Sequence, residues 1–579
     1  MKLCGDRMNG DSDFNSQCKE AILSENVIDS FALVRGSIAE MMTFYGADCI
    51  QVVNPRYTIV HQPIADFSDI QKYNFYYSSF PKCYGLMDET NMEYIGVHNV
   101  RRQPFLNLLG RDVIVGFIDT GIDYQHEIFK NADNTSRVVR IWDQTIQTGT
   151  PPKGYYYGTE YTREQINEAL KSDDPLSVVP STDTNGHGTF IAGIAAGNID
   201  IKNDFTGAAP LADIVMVKLK QAKKYLRDFY YIRDDVECFQ ETDLVMGTKY
   251  LLDLAIELKK PLVICIGVGT NSGGHDGSGI WDEYLENLSD NTGFCVVLPT
   301  GNEGNSGGHY RGIVPQTEDY VDAEINVGEG EKGFTLEFWV RAPSIYSIGF
   351  ISPSGEYINR IPPRVNNNRV ISFLFEPTVI YVDYRVIERR TGDESVIIRF
   401  ESPTPGIWKI RVFREQSFNN EFDLWLPIKK FLTSNTYFIQ PNPDITITDP
   451  GNTMRPITVA ACNHVNNSIY INSGRGYTRR GNVKPDIAAP GVNIYGPAPG
   501  NTFSIKSGTS IAAAHTAGAA ALLLEWAIVR ENSFNFNTTN IKTLMIRGAK
   551  RIGTEYPNKQ FGYGILDIYG AFESLRLTV

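Results

Sequence analysis

A carboxylate, an imidazole and a hydroxyl stand in three short, glycine-flanked stretches of this 579-residue chain. Asp119 closes the apolar run in "VIVGFIDTGID". His187 lies in "DTNGHGTFIAG", and Ser510 opens the long apolar stretch "SGTSIAAAHTAGAAAL". A serine hydroxyl is a poor nucleophile until a base accepts its proton. Histidine titrates near neutral pH and suits that role, and a carboxylate can fix its tautomer and stabilise the imidazolium. An attacked carbonyl then becomes an oxyanion that needs donors. Asn302, in "PTGNEGN", can supply a side-chain N–H, and the backbone N–H of Ser510 at a helix N-terminus can supply another, helped by the helix dipole. Each residue taken alone has a plainer reading. Ser510 could cap a helix, its apolar stretch could span a bilayer, Asp119 and Asn302 could be turn residues, and His187 could be structural. Taken together, with glycine beside each to permit close backbone approach, they point to acyl transfer.

Such groups must be delivered to one place. "RDVIVGFIDTGID", "PLVICIGVG" and "GFCVVLPTGN" read as short, continuously apolar strands. "FIAGIAAGN" and "TDLVMGTKYLLDLAIELKKP" read as helices, the second with Leu244, Thr248, Leu251, Ala255 and Leu258 on one face. Strands apolar on both faces that alternate with helices predict an α/β fold, a parallel sheet with helices on both faces. Its strand ends and adjoining helix starts form a crevice. The stretch at 504–529 is interrupted by His515, Thr516 and Glu525, and fits a core helix better than a span. Residues 1–87 read as a small α+β unit. From 316 to 445 the period changes to two, as in Val321, Ala323, Ile325 and Val327 or Trp408, Ile410 and Val412. That pattern predicts an antiparallel β-sandwich inserted into the α/β unit, which resumes with "MRPITVAACN". A smaller insertion at about 145–180 has Thr162 and Gln165 at capping-box spacing.

Composition narrows the function. A formal net charge of −13 without any Lys/Arg cluster argues against a nucleic-acid partner. The N-terminal stretch has no apolar core of a secretory signal. Eight cysteines are scattered without a C-x-x-C pair, so small buried thiols in a reducing compartment are expected. No metal site is predicted: no zinc pattern appears, and the acidic loops have no spacing that fixes a calcium site.

The motif set closely resembles that of the subtilisin-like serine proteases. The four stretches around Asp119, His187, Asn302 and Ser510 occur in family order, and "KPDIAAPGVNI" and "FGYGILD" match later segments. The resemblance covers about 105–315 and 450–575. It implies a Ser-His-Asp endopeptidase with Asp119, His187 and Ser510 as triad and Asn302 as the oxyanion-hole side chain. Gly267, Val268 and Gly269 would line the substrate, and no cofactor would be required; some members of the family bind structural calcium, for which the resemblance assigns no site here. Residues 1–87 resemble a subtilase prodomain, an intramolecular chaperone and inhibitor, cut in cis between about Tyr84 and Thr90. Residues 88–315 and 446–579 would be the two parts of the catalytic domain. The insertion resembles the jelly roll of the Csp-type germination proteases of spore-forming bacteria, which lack an export signal and cut the precursor of a cortex-degrading enzyme. That implies a precursor protein as substrate, an intracellular or spore-associated location, and no membrane span. The alternative within that group is a silent pseudoprotease, a scaffold or signal sensor, which loses triad residues that this chain keeps. Two departures stand out. Ala514 replaces the family's usual proline, at little expected cost in a helix. Thr270 replaces the second glycine of the S1 strand and is expected to narrow or reshape that pocket. His275 and Asp276, in the same loop, are read as solvated residues, with substrate contact as the alternative.

Overall fold

The computed structural model describes residues 11–63, 79–86, 94–364, 367–418, 420–553 and 555–576. At its centre is an eight-stranded sheet in the order Ile487–Pro490, Ile457–Cys462, Phe294–Pro299, Leu262–Ile266, Ile114–Asp119, Asp213–Lys218, Val138–Asp143, Thr159–Thr162. Every neighbouring pair is parallel except the last, which is antiparallel. Successive side chains of a strand point to opposite faces, and here both faces are covered. Val115, Phe117, Cys265 and Val297 pack under the helices His187–Ala196 and Thr509–Leu524. Ile114, Ile118, Ile264 and Leu298 pack under Glu241–Leu258 and Ile280–Leu288. This explains why the strands read as continuous apolar runs. It also explains the helix after Ser510: every residue of Thr509–Leu524 is buried. Among the described residues this helix, continued to Val529, is the one long and apolar enough to cross a bilayer, and it lies inside the protein. Its polar end is satisfied there. The buried Glu525 carboxylate accepts the backbone N–H groups of Leu109 at 2.7 Å and Gly110 at 2.6 Å, and Arg530 pairs with it at 2.7 Å.

The first unit has the helices Asp11–Leu23 and Ile38–Tyr45 on an antiparallel sheet in the order Val27–Leu33, Tyr57–Pro63, Cys49–Val52. Val27, Phe31 and Ile59 share a core with Leu244 and Leu251 of the helix Glu241–Leu258. Buried Asp29 joins the two units further. It binds His61 at 2.6 Å within its own sheet, and across the boundary it binds Lys223 at 2.9 Å and Gln240 at 2.6 Å. The expectation of free thiols needs one correction here. Cys18 and Cys49 form a disulfide with Cα atoms 4.8 Å apart, because the helix Asp11–Leu23 folds back onto the strand Cys49–Val52. Cys83, Cys238, Cys265, Cys295 and Cys462 are free and buried. Cys4 lies outside the described residues.

The inserted sandwich has two antiparallel sheets. One runs His309–Ile313, Glu421–Trp425, Gly333–Val340, Glu394–Glu401, Val379–Arg385, Asn367–Ser372. The other runs Tyr357–Ile361, Ile345–Ile351, Gly406–Gln416, Tyr320–Val327, Tyr437–Phe438. Its strands therefore start at His309, before the change of period at 316, because His309–Ile313 pairs with Glu421–Trp425 without alternating in sequence. In the smaller insertion the helix Arg163–Ala169 begins with both bonds of the Thr162–Gln165 capping box.

The loop after the strand Val268–Gly269 corrects a second expectation. His275 and Asp276 are buried, neither solvated nor on an open cleft surface. His275 stacks on Trp425 of the sandwich with ring centroids 4.2 Å apart, and His309 stacks on the same indole at 4.8 Å. Asp276 pairs with Arg479 at 3.0 Å, and Arg479 pairs with Asp393 of the sandwich at 2.6 Å. Burial pushes the His275 imidazole down to about 3. The polar loop "TNSGGHDGSG" is thus the joint between the insertion and the α/β body.

Candidate active site

Asp119 ends its strand, His187 is the first residue of its helix, and Ser510 is the second of its own. The fold brings the three together. His187 Nδ1 lies 2.7 Å from Asp119 Oδ1, and His187 Nε2 lies 3.0 Å from Ser510 Oγ. All three residues are at most 1% exposed. Asp119 Oδ1 also accepts the Thr120 N–H at 2.8 Å, which fixes the carboxylate. Its Oδ2 has no hydrogen-bond partner among the described residues and faces Gly267. A Cβ at 267 would come within 2.4 Å of Oδ2 and 2.8 Å of His187 Cε1, so the absence of a side chain there is what lets the cleft strand pass the dyad.

Ser510 is not the cap of its helix. The N-cap is Gly508, which has no side chain to offer, and the Thr509 N–H is instead capped by Asn302 Oδ1 at 3.2 Å. The Thr509 hydroxyl donates to the same oxygen, also at 3.2 Å. With Oδ1 so engaged, Nδ2 is the group this amide has to donate. The N–H of Ser510, in the first turn, has no acceptor within its helix. The arrangement can therefore offer one side-chain and one backbone donor to an oxyanion next to Ser510 Oγ. The helix runs unbroken through Ala514.

Val268 and Gly269 form a strand paired antiparallel with Cys83–Leu86, with Val268 opposite Leu86 and Gly269 opposite Gly85. The other edge of Cys83–Leu86 pairs with Phe239–Gln240, Cys83 opposite Gln240 and Tyr84 opposite Phe239. A segment of the first unit is thus the middle strand of a three-stranded sheet laid along the crevice, running toward Gly267 and the triad. Sequence reasoning missed Phe239–Gln240, a two-residue strand with no periodicity to read. Thr270 extends the adjoining edge by a mutual backbone pair with Asp449 at 3.0 and 2.9 Å, and its hydroxyl accepts the Ser272 N–H at 3.2 Å. Among the described residues no group of three or more His, Cys, Asp or Glu side chains is placed to hold a metal ion.

A family model described as the subtilase family matches residues 110–323 and 433–564, more than half of the chain. The chain belongs to the subtilase family. The gap between the two matched segments falls within the sandwich. The subtilase is similar to the solved structure of the CspB protease of Clostridium perfringens, with 34% sequence identity and a TM-score of 0.75 over 84% of this chain and 97% of that one. It is also 23% identical over 463 residues to the subtilisin-like protease SBT3 of Solanum lycopersicum and 22% identical over 524 residues to the PII-type proteinase of Lacticaseibacillus paracasei. The subtilase spans 55% of the length of the first and 26% of the second.

Proposed function

We propose that this subtilase is a serine endopeptidase that cuts its own chain just after residue 87 and then acts on a precursor protein. The observation that carries the reading is the contact chain Asp119–His187–Ser510, with the segment Cys83–Leu86 aimed at it from the neighbouring strand. Each residue has a role. His187 Nε2 takes the Ser510 proton as Oγ attacks the peptide carbonyl. Asp119 holds the Nδ1–H tautomer and stabilises the imidazolium. The Asn302 Nδ2 and Ser510 N–H groups receive the oxyanion. His187 returns the proton to the leaving amine, and water then hydrolyses the acyl-enzyme by the same steps.

The register suggests the bond. Leu86 pairs with Val268, the next cleft residue is Gly267, and Gly267 abuts the dyad. We assign the cut to the bond between residues 87 and 88, within the expected stretch from Tyr84 to Thr90. Both residues lie outside the described ones, and the assignment rests on the register of 83–86. A strand bound on both edges would stay in the crevice after the cut and inhibit there, which fits residues 1–87 as prodomain. The finer reading is activation of a spore cortex-hydrolase precursor during germination, at an intracellular or spore-associated site. It is supported by the resemblance to the Csp-type proteases and by the similarity to the CspB protease along nearly that protein's whole length.

The test is intact mass of the wild type beside Ser510→Ala, with fluorophosphonate labelling of both. The reading expects a wild type split near residue 87, a whole Ser510→Ala chain, and label on the wild type alone. A wild type that stays whole and unlabelled would favour the silent pseudoprotease instead.

A further inference from the structure

Directly before the segment in the cleft, Lys82 sends its side chain into the protein. Its backbone extends the pairing of that segment: the Glu241 N–H donates to the Lys82 carbonyl at 2.9 Å, and the Lys82 N–H donates to Glu241 Oε2 at 3.1 Å. Its ammonium lies 3.6 Å from Asp449 Oδ2, and the side chain is only 12% exposed. Two glycines make the space. A Cβ on Gly273 would come within 2.7 Å of Lys82 Nζ, and one on Gly279 within 3.2 Å. The carboxylates of Asp449, Glu241, Asp282 and Glu337 all act on this ammonium and hold its pKa above the usual lysine value despite burial. They come from four places: the start of the helix Glu241–Leu258, the helix Ile280–Leu288, the sandwich strand Gly333–Val340, and the turn at Asp449.

Each carboxylate is held in place by its own neighbours. Glu337 accepts the Gly273 N–H at 3.1 Å and the Trp339 indole N–H at 3.0 Å. Asp282 accepts the Gly279 N–H at 2.8 Å and the Thr453 hydroxyl at 3.1 Å, and Asp449 accepts the Asn452 amide at 2.8 Å. The group is therefore a built pocket with a cationic side chain seated in it. That side chain belongs to the strand which lies where a substrate would lie.

We infer that this pocket is a cation-selecting subsite of the cleft, which takes a lysine side chain from the substrate residue that falls opposite Glu241. The inference rests on the endopeptidase reading and, with the cut after residue 87, places that residue sixth before the scissile bond. Buried carboxylates that lose their cation are costly to leave unpaired, and an acidic residue brought among them is worse. A compact ammonium on a flexible stem fits between two glycines better than a planar guanidinium. The sandwich supplies Glu337, so the insertion contributes to substrate choice.

The experiment has two arms. Cell-free chains carrying Lys82, Lys82→Arg, Lys82→Ala and Lys82→Glu are timed for self-cleavage by intact mass. The processed wild type is then given quenched peptides spanning residues 80–90 with Lys, Arg, Ala or Glu at the position of Lys82. The expected order in kcat/KM is Lys, Arg, Ala, Glu, with Ala at least tenfold and Glu about a hundredfold below Lys. Glu337→Gln is expected to shrink the Lys-to-Glu ratio. Equal rates for all four residues would overturn the subsite, and the peptides keep that outcome readable if a Lys82 variant fails to fold. If the processed wild type, its crevice still held by residues 1–87, refuses every peptide, the self-cleavage series decides alone. A wild type that neither cuts nor takes the serine label would overturn the endopeptidase reading, a result distinct from lack of preference.

Discussion

Gly267→Ala tests the triad geometry through a residue that does no chemistry itself. The added methyl would stand 2.4 Å from Asp119 Oδ2 and 2.8 Å from His187 Cε1. Non-bonded heavy atoms settle near ~3.5 Å, so the cleft strand and the dyad must part by about 1 Å. The carboxylate cannot yield freely, because Oδ1 holds His187 Nδ1 at 2.7 Å and Thr120 N at 2.8 Å. The imidazole cannot yield without leaving Ser510 Oγ, 3.0 Å from Nε2. A misplacement of about 1 Å costs on the order of 10²-fold in rate, and loss of the aspartate's orienting role about 10⁴-fold. The variant should therefore fall roughly 10² to 10⁴ in kcat, with an overpacking cost of about 1–3 kcal/mol. The assay is the second-order rate of fluorophosphonate labelling, beside self-cleavage by intact mass and thermal unfolding. Labelling within threefold of wild type at an unchanged melting temperature would refute the reasoning, since the methyl would then have found room that this geometry denies it.

Further outcomes follow from other contacts. Asn302→Ala should lower kcat by roughly 10² to 10³ and also cost about 1 kcal/mol, because Asn302 Oδ1 caps Thr509 N; steady-state kinetics and urea unfolding read the two effects separately. Trp425→Ala removes the indole held between His275 and His309 and should destabilise by about 3–5 kcal/mol in chemical unfolding. Burial, with the negative charge of Glu415, raises the Glu394 carboxyl from 4.5 to about 8. The folded chain then keeps a proton that the unfolded chain releases, so stability falls as pH rises from about 4.5 to about 8. Glu394→Gln should gain stability over wild type at pH 8.5, by a few kcal/mol at most, and little at pH 5; equal gains at both pH values in thermal unfolding would contradict the assignment.

What could be read before any coordinates existed was whatever the chain writes locally. Central strands such as Ile114–Asp119 declare themselves because both faces are buried, so no polar residue interrupts them. Asp119, His187, Asn302 and Ser510 declare themselves because each sits where an element starts or ends, among glycines that let backbones approach. What could not be read depends on partners far along the chain. Cys18 meets Cys49 only through the packing of a helix on a sheet. His275 and Asp276 look like solvated loop residues because their neighbours in sequence are polar, yet their partners Trp425 and Arg479 arrive from beyond the loop. The same blindness hid the surroundings of Lys82, whose carboxylates lie at 241, 282, 337 and 449. In this protein the Asp119–His187–Ser510 contacts are announced by motifs, while the surroundings of the strand beside them are assembled from segments that no single stretch identifies. The sandwich belongs to that second class. It buries the loop that follows the strand Val268–Gly269 and lends Glu337 to the carboxylates around Lys82, so its removal should loosen that loop and not merely trim the surface.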